Sequence, residues 1–156
     1  MPGYQLKINL PMLLRVVGWL LVIEAVFMLM PLATCLIYDE SDFKAFLISA
    51  GITAGAGLLM TLGIRPRHTD MGKREGFLLT ALVWVVFSTF GMIPFMICAS
   101  PMSLSDAFFE SMSGFTTTGA SILQEIGHFS HGILLWRCLM QWIGGMGIIL
   151  FTLAVV

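Results

Sequence analysis

The chain has 156 residues, 58% hydrophobic and 11% charged, with a mean hydropathy of +0.93. A soluble domain carries about a quarter charged residues, so a water-soluble globule is excluded. Eight Lys and Arg against nine Asp and Glu give a formal net charge of -1, which leaves no basic excess for a phosphate backbone and argues against nucleic acid as a partner.

Four stretches are long and apolar enough to cross the roughly 30 Å hydrocarbon layer as helices, which satisfy their own backbone hydrogen bonds in lipid. Val16 to Tyr38 holds one charge, Glu24; Ala45 to Ile64 and Phe77 to Cys98 hold none; Gly132 to Val156 holds Arg137. The first run is too long for the apolar region of a signal peptide. Leu32-Ala33-Thr34-Cys35 lacks the small residue that a lipoprotein cleavage site needs before its cysteine. The second helix carries Ala50, Gly51, Ala54, Gly55, Ala56, Gly57 and Gly63, including Gly51-x-x-x-Gly55, a small-residue face suited to close helix packing. In the third, Pro94 after Gly91 predicts a kink or an early end. Cys35, Cys98 and Cys138 lie in apolar runs with no C-x-x-C pair, so they read as buried apolar residues rather than disulfide or zinc ligands.

Charge orients the spans. Lys7 and Arg15 precede the first, and Arg65, Arg67, Lys73 and Arg74 crowd the link between the second and third, which the positive-inside rule places in the cytoplasm. The acidic link Asp39 to Lys44 and the stretch Ala99 to His131 then lie outside, and both termini inside. The apolar run still open at Val156 reads like part of a longer protein.

The outer stretch carries structure of its own. Ser103 or Ser105 can cap a helix, Asp106 suits its first turn, and Phe108, Met112 and Phe115 recur at spacings of four and three. The helix expected from Leu104 to Ser113 is about 15 Å long, half a bilayer. Phe115-Thr116-Thr117-Thr118-Gly119-Ala120-Ser121 follows, in which β-branched threonines favour extended backbone and Gly119 can take a positive φ. A half-helix entering from outside aims the negative end of its dipole at mid-membrane, and carbonyl and hydroxyl oxygens after it can replace the hydration shell of a cation. The competing reading, an ordinary polar turn, does not explain why the string follows a half-length helix between two spans, so the pattern reads as a pore loop.

Asp106 to Ser121, with Trp136-Arg137 and Gln141-Trp142-Ile143-Gly144-Gly145-Met146-Gly147 in the last span, resembles the first pore loop and following helix of the Trk/Ktr/HKT potassium-transporter superfamily. The resemblance covers essentially the whole chain. It implies an all-α integral membrane fold: two N-terminal transmembrane helices (1-64), a cytoplasmic basic loop (65-76) and one helix/pore-loop/helix repeat (77-156), with the half-helix at about 104-113, the filter at 116-120 and the last helix at 132-156. It implies potassium uptake across the bacterial inner membrane, with Thr116, Thr117, Thr118, Gly119 and Ala120 lining the selectivity filter and potassium held through Thr117, Thr118 and Gly119. No catalytic residue or cofactor is implied; K+ is the transported ion. Such a protein has four repeats, so this chain is expected to be completed by further repeats or by copies of itself. The expected partners are the lipid bilayer, a second full-length protomer in a homodimer and a TrkA-like cytosolic nucleotide-binding regulatory subunit. Against the T-V-G-Y-G of tetrameric potassium channels, which the stretch also resembles, a threonine replaces the valine and Ala120-Ser121 replace Tyr-Gly.

Other residues are weighed beside this frame. Arg137 is costly inside a span unless paired, and its depth matches Glu110, so the two are expected to brace the pore helix. Glu24 lies on a helix peripheral in the resemblance and reads as a satisfied or protonated structural carboxyl before an ion or proton relay. Glu125, His128 and His131 have metal-ligand spacing, but the three histidines of the chain cannot supply a di-iron bundle. Gly144-Gly145-x-Gly147 reads as tight packing or a flexible point. The alternatives to uptake are a non-conducting scaffold or truncated fragment, with a metal-dependent membrane enzyme behind both.

Overall fold

The computed structural model describes residues 9-64, 73-98, 100-123 and 129-155. In order come α1 (Leu10–Ile37), α2 (Phe43–Gly63), α3 (Lys73–Gly91), α4 (Ile93–Ile97), α5 (Leu104–Phe115) and α6 (His131–Val155), and no strand occurs among the described residues. Among the described residues four helices are long and apolar enough to span a membrane: Leu10–Ile37, Phe43–Gly63, Arg74–Ile97 and His131–Ile149. Their outward surfaces are apolar too, with Trp19, Val26, Leu59 and Leu62 more than half exposed, as suits a chain whose solvent is lipid.

Helix starts differ from the hydropathy boundaries because capping, not hydropathy, decides them. α1 begins at Leu10 rather than Val16: the Asn9 side chain accepts the Met12 N–H at 3.4 Å and Pro11 is tolerated in the first turn. α3 begins at Lys73 rather than Phe77, since Lys73, Arg74 and Glu75 are good helix formers that extend the span beyond its apolar part. Glu75 Oε1 accepts the Asn9 N–H at 2.7 Å and joins the starts of α1 and α3.

Of the small residues expected to pack on α2, Ala50 and Gly57 lie on its buried face, whereas Gly51 and Gly55 do not. Cβ atoms at Gly51 or Gly55 would meet nothing within 4 Å, whereas one at Gly57 would stand 2.7 Å from the Gly18 carbonyl oxygen, and one at Gly18 2.9 Å from that of Gly57. The buried face of α2 runs through Phe46, Ala50, Thr53, Gly57 and Thr61, a helical spacing that leaves Gly51 exposed.

The break at Pro94 is present: α3 stops at Gly91 and α4 starts at Ile93. Phe95 N–H bonds the Met92 oxygen, and the Gly91 oxygen accepts the Trp136 indole N–H at 2.9 Å, so the carbonyl released by the break is satisfied from α6. Fully buried Phe46, Phe95, Phe115, Ile133, Trp136 and Met140 form the core, with Phe115 meeting Phe87 and Trp136 edge to face at 5.4 and 6.3 Å.

At the opposite end from Asn9, the α1–α2 link caps α6. Glu40 accepts the His131 N–H at 2.8 Å and the Gly132 N–H at 3.3 Å and meets His131 Nδ1 at 2.8 Å, while Ser130 donates to Asp42 at 2.6 Å. Burial raises the Glu40 pKa, but the hydrogen bonds from His131 and Gly132 outweigh it and leave the carboxyl below its ordinary value.

Candidate functional site

α5 is a half-length helix held between α3 and α6. Ser103 Oγ accepts the Asp106 N–H at 3.3 Å and opens it, and its buried face carries Ala107, Glu110, Ser111, Ser113, Gly114 and Phe115. Twelve residues span about 18 Å, so its end lies at depth within the bundle. Phe115 there rests on Gly144, halfway along α6: a Cβ at Gly144 would overlap the Phe115 carbonyl. The Gly144 to Gly147 string thus contains a close contact at Gly144, the packing role expected for it.

The segment after α5 folds back onto the helix end. Thr116 N–H bonds the Met112 oxygen at 2.9 Å, Thr117 N–H the Gly114 oxygen at 3.0 Å, and Thr118 and Gly119 N–H both the Ser113 oxygen at 3.0 and 3.4 Å. Thr117 has φ +56° and Gly119 φ +73°. The extended backbone expected for the threonines is therefore corrected at Thr117, a β-branched residue in the left-handed region, held there by hydrogen bonds to otherwise orphaned helix carbonyls.

That reversal fixes where the carbonyls point. In a planar trans peptide the C=O lies opposite the N–H. The N–H groups of Thr117, Thr118 and Gly119 aim at α5, so the carbonyl oxygens of Thr116, Thr117 and Thr118, which share their peptide planes, aim away from it. Thr117, Thr118 and Gly119 are exposed, and a Cβ at Gly119 would meet nothing within 4 Å. The hydroxyls are also ordered. Thr116 Oγ1 donates to the Met112 oxygen at 2.7 Å, which spends its one proton, so Thr118 is the donor in the 2.8 Å contact between the two hydroxyls.

Ala120 departs from the set. Its carbonyl oxygen accepts from Ser113 Oγ at 2.6 Å and so turns back toward α5, which makes it an anchor of the segment rather than a fourth oxygen facing outward. Nothing in the bare sequence marked Ser113 for this role.

Above Ala120 the chain is clasped by Glu110. Its buried carboxylate accepts from Ser121 Oγ at 3.1 and 3.2 Å, from Ile122 N–H at 3.2 Å and from Arg137 Nε at 2.5 Å. The expected Glu110–Arg137 pair is present, with side chains 1% and 15% exposed. One carboxylate thereby ties α5, the ascending segment and α6 together. Of the possible metal ligands, Glu125 and His128 lie outside the described residues and His131 pairs with Glu40; among the described residues no group of three or more His, Cys, Asp or Glu could hold a metal.

Chemically, the arrangement offers neutral oxygens at the negative end of a helix dipole. Such a set can dehydrate a monovalent cation without trapping it by a full charge.

A family model described as TrkH, cation transport protein, matches residues 43–156. The chain is 40% identical over 148 residues to the Trk system potassium uptake protein TrkH of Halomonas elongata, covering 94% of this chain and 31% of that protein. It is 37% identical over 142 residues to the TrkH of Escherichia coli K12, covering 90% and 29%. The crystal structure of the potassium transporter TrkH from Vibrio parahaemolyticus superposes with a TM-score of 0.89 at 34% identity, covering 94% of this chain and 32% of that one. The chain thus spans about three tenths of the length of the curated relatives it matches.

Proposed function

The chain belongs to the TrkH family of cation transport proteins, and on that premise we propose that it forms one of four walls of a potassium-uptake pore in the bacterial inner membrane. Residues 1-64 are its peripheral helix pair, 65-76 a cytoplasmic basic link whose last four residues form the first turn of α3, and 77-156 its first helix/pore-loop/helix repeat. Potassium meets the backbone oxygens of Thr116, Thr117, Thr118 and Gly119; Ala120 holds the outer end of the segment, and Glu110 with Arg137 braces it. The N-terminus and the basic link lie in the cytoplasm, further repeats or copies complete the ring, the full protein is a homodimer, and a TrkA-like nucleotide-binding subunit docks on the cytoplasmic face. K+ is cargo, and no cofactor takes part.

The observation that carries this reading is the return of the Thr117, Thr118 and Gly119 N–H groups onto the carbonyls of Ser113 and Gly114, which turns the neighbouring oxygens outward without any side-chain charge. Potassium uptake by the full-length protein, in cells lacking their own uptake systems, tests it with Gly119→Ser. Space is open at Gly119, so the substitution acts through its positive φ alone, at a cost of about 1–2 kcal/mol to the local backbone. Uptake abolished, or made equally permissive to sodium, supports the filter; uptake and selectivity equal to the parent would leave the segment a non-conducting scaffold.

A further inference from the structure

Glu24 lies midway along α1, inside a membrane-spanning segment, fully buried, and neither of its carboxyl oxygens has a hydrogen-bond partner. Its surroundings are particular. The point where a Cβ on Gly91 would stand is 3.2 Å from Glu24 Oε1, 2.9 Å from Ser111 Oγ and 2.6 Å from the Phe115 ring. The missing side chain of Gly91 therefore makes room for a carboxyl directly behind α5. The Ser111 hydroxyl beside it donates to the Met140 sulfur at 3.6 Å.

No described cation neutralises Glu24. On α1, Arg15 is more than two turns away; α2 presents the hydroxyls of Ser49 and Thr53, with Lys44 at its far start. On α3, Arg74 and Glu75 lie at the opposite end from Gly91, and α4 has no titratable side chain. On α5, Asp106 is exposed and Glu110 is taken by Arg137, Ser121 and Ile122; on α6, Arg137 is thus engaged and His131 pairs with Glu40. An unpaired carboxylate in this position is far costlier than the neutral acid. Phe115 also lines an apolar cavity of about 420 Å³, together with Leu20, Ile23, Phe27 and Phe87 among others. Phe115 is shared: its ring edges the Glu24 site, and its backbone leads into Thr116.

We propose that Glu24 is an intramembrane proton-binding site that must be occupied for α5 and the segment after it to hold the geometry described. When the proton leaves to solvent, the charged carboxylate needs water, the cavity lined by Phe115 is the space from which water comes, and Phe115 must move to let it in. Glu24 is a positioning residue, acting on the pore through Ser111 and Phe115. Its effect on flux rests on the uptake reading above; its protonation does not.

Two measurements on the full-length protein test the site. Infrared spectra at neutral pH should contain a free-acid carbonyl stretch that disappears in Glu24→Gln. Potassium uptake by the parent should fall about tenfold per pH unit on the alkaline side of the Glu24 transition, because only the protonated fraction is competent. Glu24→Gln, permanently neutral, should keep uptake within about twofold of the parent at neutral pH and lose that alkaline limb. Glu24→Met serves the same purpose if the Gln variant does not fold, since an unpartnered pocket accepts an apolar isostere. Spectra identical in parent and variant, or an alkaline limb unchanged by either substitution, would overturn the proposal. A parent that takes up no potassium removes the uptake reading alone, because the infrared band still decides whether Glu24 holds a proton.

Discussion

The α1–α2 pair is joined by shape, whereas α5 and the segment after it are joined by hydrogen bonds and one ion pair. Between α1 and α2, Gly18 and Gly57 admit each other's backbone, and the flanking side chains are mostly apolar. Lipid tails are as apolar as the helices, so close packing rather than hydrophobic burial holds such a pair. Around α5, the Glu110 carboxylate, the Ser113 hydroxyl and the helix-end carbonyls each take a defined donor or acceptor. A shape contact fails in proportion to the volume forced into it. A polar hub fails by leaving a charge unpaired, which costs more, and that difference sets the order of the expected effects.

The largest effect belongs to the hub. Arg137→Ala leaves the 1% exposed Glu110 side chain without its cation, and breaking a buried pair from one side costs about 3–5 kcal/mol. The thermal midpoint of the detergent-purified full-length protein should fall accordingly, and adding Glu110→Gln should restore much of it by removing the orphaned charge. A double variant no more stable than Arg137→Ala would mean that Arg137 supports the fold by its stem, not its charge.

A pair of glycines sharpens the contrast. Gly57→Ala and Gly144→Ala both force a methyl into backbone, against the carbonyls of Gly18 and Phe115 respectively, and each should cost about 1–3 kcal/mol. Only the second lies against the segment proposed to face the ion. Uptake measured at matched protein levels should change its potassium-to-sodium preference in Gly144→Ala and keep it in Gly57→Ala; equal selectivity in both would detach the end of α5 from ion choice.

The spans and the half-helix were legible because composition and length alone force them: a long apolar run in lipid must be helical, and α5 is too short to cross. The α1–α2 contact was legible only in part: small residues marked α2 for close packing, but these helices are apolar on every side, so the pattern does not fix their rotation and does not tell Gly57 from Gly51-x-x-x-Gly55. Thr117 was misread because β-branching favours extended backbone, and only the demand of the α5 carbonyls for donors overrides it. The Glu110–Arg137 pair was legible from depth, since a charge inside a span needs a partner. Ser113 and Ser121 were not: a serine on a helix or loop is ordinary until the chain returns to bring Ala120 and Glu110 to it.

The smallest effect lies at the start of α6, where Glu40 contacts the His131 and Gly132 N–H groups across 91 and 92 residues of sequence. Because Glu40 titrates below its ordinary range in the folded chain, its contribution is fully present above the unfolded value of about 4.3 and is lost as pH falls through the lower folded value. The sign follows from proton uptake: between the two values the unfolded chain binds the proton that the folded one refuses, so acid favours unfolding there. His131 is largely exposed, which keeps the contribution under about 1 kcal/mol. The thermal midpoint of Glu40→Gln should therefore lie slightly below that of the parent near neutral pH, and the two should converge as pH drops below about 4. A gap that persists into strong acid would show that the cap works through hydrogen-bond geometry that a glutamine does not supply rather than through charge, placing this end of α6 with the shape-held helix pair rather than with the charged hub around Glu110.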